Sequence, residues 1–417
     1  MKKSLFKMLS RMKNLYKIPL FILSIILASC SEENNVDSTH ITVLNIEEGI
    51  KNMSDIQLSK YASSVEYIPL ETSNESFLGE ISDFVATDSN FYLCSTNGNS
   101  VMEFSSDGKF VKAIGTKGRG PGEHMGIDRI FPTQNEGIGI MTFNKSILYD
   151  KSGNYVMELP GFGNTGLNRA ERLLPYKNDK YIFSYLTTDT TENKRTENLC
   201  IIDSTGAVVL NYGLGNGYEK PTDYLLLGKR LPMPRPFVAA LYKYNDEYRF
   251  ANGRFDTVFT YLPDYGKKEC YVMEYGKYYS LTYETLEYEK RIDASANPQL
   301  METDDFLLFR MSLPTEVWTM YNGADGKADV LFLYDKTDKK LSLLKPDKQN
   351  KISSFVNDID GGAAFTPFYM KDNIMYQIID AMTFIETARE SGSPQMQNIA
   401  AQLTDESNPV IMAVRLK

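Results

Sequence analysis

The chain reads as all-β, a six-bladed β-propeller of four-stranded blades, on three observations. Short runs of Val, Ile, Phe and Tyr alternate with Gly, Asn and Asp turns, and helical periodicity is absent until near residue 380. One hairpin signal recurs at long intervals: its turns at Gly108, Gly153, Gly206, Gly266 and Asp338 lie 45, 53, 60 and 72 residues apart. Such spacing suits propeller blades with loop insertions, whereas a sandwich shows turns about every 8–12 residues and no long period. Finally, a strand near each end lacks a local partner: Val65-Glu66-Tyr67-Ile68-Pro69-Leu70 and Pro409-Val410-Ile411-Met412-Ala413-Val414. Pairing these N- and C-terminal strands in one blade closes the ring and removes two exposed edges.

The hairpins come in order. Val101 to Val111 is strand, Asp107-Gly108 turn, strand; Ile147 to Val156 repeats it around Gly153, and Leu199 to Val209 around Gly206. Weaker copies run from Val258 through Gly266 and from Leu331 to Leu343. In each, a residue tolerant of positive φ sits where a tight hairpin needs it. Innermost strands are expected near Ile81–Val85, Ile127–Ile130, Arg172–Leu174, Phe237–Ala240, Phe306–Phe309 and Phe355–Asp358, which makes six. Between the strands of the sixth blade, Ile379, Met382, Ile385 and Ala388 recur at helical spacing, and Ile399, Ala400 and Leu403 form a second stripe beyond Ser391-Gly392-Ser393-Pro394. This predicts a small helical hairpin over about 380–406, lying on the propeller's own body.

Composition sets the boundaries on function. Hydrophobic residues are 42% and charged residues 24%, as in a packed, water-soluble body. The formal net charge is −9, and residues 1–29 hold six basic and no acidic residues, so their removal leaves 39 basic against 54 acidic, or −15. Such a surface repels phosphate backbones, which disfavours nucleic acid as a partner. Two histidines leave little room for a metal cage or a histidine base. After Cys30, Cys94, Cys200 and Cys270 are widely spaced and sit in apolar runs, which fits buried thiols better than a disulfide framework.

The first thirty residues have the form of a targeting segment. Basic residues precede Ile18-Pro19-Leu20-Phe21-Ile22-Leu23-Ser24-Ile25-Ile26-Leu27, which is too short to span a bilayer. Leu27-Ala28-Ser29-Cys30 resembles the lipobox of bacterial lipoproteins, which assigns lipidation (palmitate among the acyl groups) to Cys30. Met12 to Cys30 alone would also make a complete signal. Ser31-Glu32-Glu33-Asn34-Asn35-Val36-Asp37 is acidic and without apolar period, so 30–60 reads as lipidated cysteine plus tether and 61–417 as the propeller. The acidic cluster also resembles the surface-export signal of Bacteroidetes lipoproteins, so a periplasm-facing and a surface-exposed protein remain equal readings.

Several segments together resemble the six-bladed β-propeller lipoproteins of Bacteroidetes, a group distantly like NHL-repeat propellers. They are the lipobox, Val65 through Thr72, Phe110 through Glu123 with its Gly118-Arg119-Gly120-Pro121-Gly122 core, Arg254-Phe255-Asp256-Thr257-Val258-Phe259, and Asn408-Pro409-Val410-Ile411. The resemblance implies an outer-membrane lipoprotein of the cell envelope, often encoded near nutrient-uptake systems, with no agreed enzymatic role.

Chemistry is sparse. Gly118-x-Gly120-x-Gly122 is neither a dinucleotide nor a phosphate loop, and reads as a connector between blades; its Arg119, Glu123 and His124 still form the densest polar cluster in the chain. Asn357-Asp358-Ile359-Asp360-Gly361-Gly362 starts like a calcium loop but lacks the later glutamate, with Tyr369 in its place. Asp83, Asp128, Arg129, Arg172, Arg235, Asp305 and Asp358 lie around the expected inner strands, where ringed together they would line a polar funnel suited to a hydroxyl-rich or zwitterionic ligand. Trp318 and the 27 tyrosines are available to stack on sugars, though aromatics in sheets usually pack as core. No catalytic residue, cofactor or metal site is assigned. The expected function is a non-catalytic ligand- or protein-binding scaffold, membrane-held through Cys30, serving an envelope complex or a glycan or peptide ligand. The alternative is a propeller lyase or hydrolase with a channel metal held by Asp83, Asp128, Asp305 and Asp358; a third reading is a signalling partner docked through the helical hairpin.

Overall fold

The computed structural model describes residues 41–417 apart from 97, 135, 143–144, 161–168, 171–172, 190–193, 220–224, 227–228, 231–239, 252–255, 263–265, 279–292, 295–299, 313–328 and 349–351. Local turn chemistry sets the pattern. Gly108, Gly153 and Gly206 take φ of 83°, 79° and 84°. Their N–H groups donate to the carbonyls of Ser105, Asp150 and Asp203, whose own N–H groups donate onward to Lys109, Asn154 and Ala207. The register slips beside each, at Glu103/Phe104, Leu148/Tyr149 and Ile201/Ile202. A turn closed by a left-handed glycine and a one-residue bulge gives this pattern, and the added twist suits a blade. In the fifth copy Lys339, not Asp338, takes the positive φ, at 52°.

Six sheets follow. The first is Ile81–Ala86, Asn90–Ser95, Val101–Ser105 and Phe110–Ile114; the second Arg129–Pro132, Ile138–Met141, Lys145–Tyr149 and Tyr155–Pro160. The third starts at Leu174–Tyr176, with Arg169–Ala170 on the same partner, and continues through Lys180–Asp189, Lys194–Ile202 and Val208–Glu219. The fourth is Ala240–Tyr244, Glu247–Ala251, Thr257–Tyr261 and Lys267–Glu274; the fifth is Met301–Glu302, Phe306–Ser312, Asp329–Asp335 and Lys340–Leu343, joined by Asp293–Ala294. In the sixth, Tyr369–Lys371, Ile374–Ile379 and Val410–Leu416 receive Ala62–Pro69 as outermost strand, antiparallel, with Tyr67 opposite Met412. The termini close the ring as expected.

Two inner strands differ from expectation. Phe306–Ser312 is the second strand of its blade, because both its faces are buried and the short Met301–Glu302 lies inside it. Phe355 and Val356 make only isolated bridges, and the inner strand of the sixth blade is Tyr369–Lys371. A run apolar on both faces marks a strand with sheet on each side, not the channel-facing strand.

The core is divided among the gaps between blades. Alternate residues serve opposite gaps: Tyr92 and Cys94 pack toward Ile130 and Ile140 of the second blade, Phe91 and Leu93 toward Tyr376 and Ile411 of the sixth. Six clusters result, one per neighbouring pair. Cys94 and Cys200 are core thiols as expected, whereas Cys270 is partly exposed.

Residues 42–60, read above as tether, are folded onto the outside of the ring. Thr42–Asn45 adds to Lys267–Glu274 as a parallel fifth strand of the fourth blade. Helix α1 (Ile46–Lys51), capped by Asn45, packs on the outer strand of the fifth blade, where Gly49 leaves no room for a Cβ beside Leu341. Leu44, Ile46 and Leu58 are fully buried, which supplies the apolar anchorage that 31–37 lacks. Near the other end, helices α2 (Ala381–Glu390) and α3 (Pro394–Ala400) form the expected hairpin on the sixth blade. Phe384, Ala388 and Met396 pack there with Tyr67 and Met412; Met382, counted in the predicted stripe, is 56% exposed.

Candidate functional site

A cavity of about 1620 Å³ touches the innermost strand of every blade and is the central channel. Its described wall carries nine acidic and five basic residues. Asp83, Arg129 and Asp305 lie on it as expected. Asp128 is exposed but off the wall, its amide donating to Met141 O. Asp358 is also off it: its carboxylate accepts from Ser59 N–H at 2.9 Å and Ser59 Oγ at 2.5 Å, holding the residues before the sixth blade's outer strand. Arg172, Arg235, Trp318 and Cys30 lie outside the described residues. The four carboxylates of the metal-enzyme reading therefore do not converge. Among the described residues no three His, Cys, Asp or Glu side chains are grouped to hold a metal.

Most charges on the wall are already engaged. Asp83 Oδ2 accepts from Ile130 N–H at 2.8 Å and ties the first blade to the second. Asp246 pairs with Lys243 at 2.7 Å, and Asp380 caps α2 through Thr383 N–H. Burial alone would drive the Lys371 ammonium toward its neutral form, but Asp372 and Asp88 outweigh it and raise its pKa. Polar latches of this kind cross every blade boundary. Tyr92 Oη donates to Glu136 O, Gln134 Nε2 to Tyr176 O, Tyr248 Oη to Pro175 O, and Arg310 Nη2 to Pro367 O.

The densest site joins the fourth and fifth blades and was invisible in the sequence. The Glu302 carboxylate, fully buried, accepts from Arg249 Nη1 at 2.5 Å, Lys336 Nζ at 2.8 Å, Tyr271 Oη at 2.5 Å and Tyr242 Oη at 2.7 Å. Arg249 and Lys336 also lie 4.4 and 4.3 Å from the centre of the Tyr244 ring, whose hydroxyl donates to Asp304. Burial and then the Glu302 charge push the Tyr242 and Tyr271 hydroxyls up, so both stay protonated donors. Two cations need one carboxylate and three phenols here because water is excluded. Glu302 and its four donors come from four strands and the turn that follows Asp329–Asp335, and no local motif announces them.

The glycine-rich connector is self-contained. Glu123 Oε2 accepts from Gly120 N–H at 2.7 Å and fills the space where a Cβ on Gly118 would stand, 2.1 Å away. Glycine is thus required by the folded-in carboxylate, not by a bound phosphate. Arg119 is exposed. His124 is 1% exposed, and neither ring nitrogen has a hydrogen-bond partner among the described residues. Burial, and then Lys145, hold its pKa below the usual imidazole value, while the Asn99 backbone acts in the opposite sense. The calcium-like loop is likewise filled from within: Asp360 accepts from Asn357 Nδ2 at 2.6 Å and Ser393 Oγ at 2.5 Å.

Fold and cavity together define a six-bladed β-propeller with a polar central channel of mixed charge. The chain belongs to the family described as Domain of unknown function (DUF4934), which matches residues 41–415. No curated protein matches it by sequence. Among solved structures it is similar to a putative exported protein from Bacteroides fragilis, at 13% identity and TM-score 0.63, covering 90% of this chain and 99% of that one. A member of the DUF4221 family from Bacteroides vulgatus aligns at 11% identity and TM-score 0.46, over 85% and 97% of the two chains. Virginiamycin B lyase from Staphylococcus aureus aligns at 8% identity and TM-score 0.37, over 84% and 99%.

Proposed function

We propose that the protein is a non-catalytic binding and scaffold propeller of the bacterial envelope, an outer-membrane lipoprotein held by acyl chains on Cys30 and serving an uptake complex. The observation that carries the binding role is the channel, whose wall is built by all six blades and mixes nine acidic with five basic residues. A wall with polar groups of both signs offers donors and acceptors together, which suits a hydroxyl-rich or zwitterionic molecule such as a glycan or peptide. The scattering of Asp83, Asp128, Asp305 and Asp358 weighs against the metal-dependent lyase or hydrolase. The anchor rests on Leu27-Ala28-Ser29-Cys30 and the basic and apolar segment before it.

Two measurements test the parts separately. A thermal-shift screen against glycans, peptides and divalent ions should yield a polar organic ligand that raises the melting temperature by mass action; a response to divalent ions alone would return the metal-enzyme reading. Labelled palmitate should enter the membrane-associated chain and not a Cys30→Ala variant. Equal labelling, or a wild-type chain released in soluble form, would remove the anchor.

A further inference from the structure

We infer that the outer rim of the first and second blades docks an extended, acidic segment of a partner protein, added as a strand to the edge Tyr155–Pro160. This surface lies outside the channel, and the inference stands without the anchor at Cys30. It begins with an edge strand: among the described residues Tyr155–Pro160 forms a ladder only with Lys145–Tyr149. An open edge offers a row of free N–H and C=O groups to an incoming strand.

The edge is apolar where it is most open. Tyr155 is 44% exposed and Val156 55%. Val111, on the outer strand of the first blade, is 47% exposed, and Met125 in the connector 59%. The edge strand and the turn before it touch both the connector and the outer strand of the first blade. A Cβ on Gly122 would meet the Tyr155 side chain at 2.9 Å, and one on Gly153 would meet Lys112 at 3.0 Å and Ile114 at 3.3 Å. Lys112 Nζ donates to Lys151 O at 3.2 Å, which brings the two outer strands to one surface.

The charge around this patch runs against that of the whole protein. Lys117, Arg119 and Lys151 are exposed, and none forms an ion pair among the described residues. The acids nearby are spent on their own loops: Asp150 accepts from Ser152 and Asn154 N–H, Glu123 from Gly120, Glu158 from Lys145 and Gly122. Three unpaired cations around an apolar edge, on a body of net charge −9, select an acidic occupant and repel a basic one. The chain itself shows the form such an occupant takes. Its own Thr42–Asn45 adds to the equivalent outer strand of the fourth blade, and Ile46-Glu47-Glu48 follows: an extended β-branched stretch running into acids.

The test uses the full-length chain and a short fluorescent peptide alternating valine with glutamate, read by polarisation. Binding is expected, weakened by added salt, and absent for the same peptide with lysine in place of glutamate. The double variant Lys117→Glu with Arg119→Glu should weaken binding by about tenfold or more. Val156→Asp should weaken it similarly, both variants keeping the wild-type melting temperature. Equal binding of the lysine peptide, or peptide binding unchanged in both variants, would overturn the proposal. So would vesicles of phosphatidylglycerol that bind where the peptide does not, because the rim would then be a membrane face.

Discussion

Asn408 is the side chain on which ring closure turns. It is fully buried just before the strand Val410–Leu416. Its Nδ2 donates to Glu71 O at 2.7 Å and to Ser76 O at 2.8 Å, and its Oδ1 accepts from Leu78 N–H at 2.8 Å. These contacts fix the loop that leads from the outer strand of the sixth blade to the inner strand of the first. In Asn408→Ala three backbone groups lose their partners in a dry site, at about 1–1.5 kcal/mol each, or roughly 3–5 kcal/mol together. Asn408→Asp discriminates further. It keeps an acceptor for Leu78 but turns carboxylate oxygen toward two carbonyls, so it should cost more than alanine. Equilibrium urea unfolding followed by far-ultraviolet circular dichroism reads both. An alanine variant within about 1 kcal/mol of wild type, or an aspartate variant no worse than alanine, would refute the reasoning.

His124 should give the fold an acid-side weakness. The folded chain holds this imidazole neutral, its pKa lowered by burial, while the unfolded chain titrates near the usual value of about 6.5. Stability from this residue is therefore complete above about pH 6.5 and falls by about 1.4 kcal/mol per pH unit below it, down to the lower folded value. His124→Leu should flatten that slope in melting curves taken across the range, and an unchanged slope would count against it. Glu302→Gln leaves Arg249 and Lys336, 13% and 19% exposed, without their carboxylate and should cost about 3 kcal/mol; a melting temperature equal to wild type would show the cations need no counter-charge. Gly139→Ala places a methyl 2.1 Å from the Phe131 ring across the strand pair and should cost about 1–3 kcal/mol by overpacking, measured as a lowered urea midpoint.

What could be read from the sequence was what local chemistry encodes. Hairpins around Gly108, Gly153 and Gly206 were legible because a left-handed residue and a bulge need glycine at one place. Ring closure was legible because Val65–Leu70 had no neighbour to pair with. Phe306 misled because a strand buried on both faces has no alternation to show which neighbour lies inside, and Phe355 because a buried loop residue beside exposed Val356 imitates a half-buried strand. The folded 42–60 segment escaped because Thr42–Asn45 is short and its partner lies in the fourth blade. The Glu302 site was hidden more thoroughly: Arg249 precedes it by 53 residues and Lys336 follows it by 34. His124 stood in a polar connector, and only packing against the second blade turned it into a buried base.

Tyr67 and Met412 face each other across a separation of 345 residues. An emerging chain must therefore carry Ala62–Pro69 idle while five complete blades are made behind it. Loop closure over so long a span is slow, and a waiting strand is exposed to stray pairing. Its Ser63, Ser64, Glu66 and Pro69 make it a poor template for self-association, so discretion during biosynthesis is written into the same residues that later seal the circle.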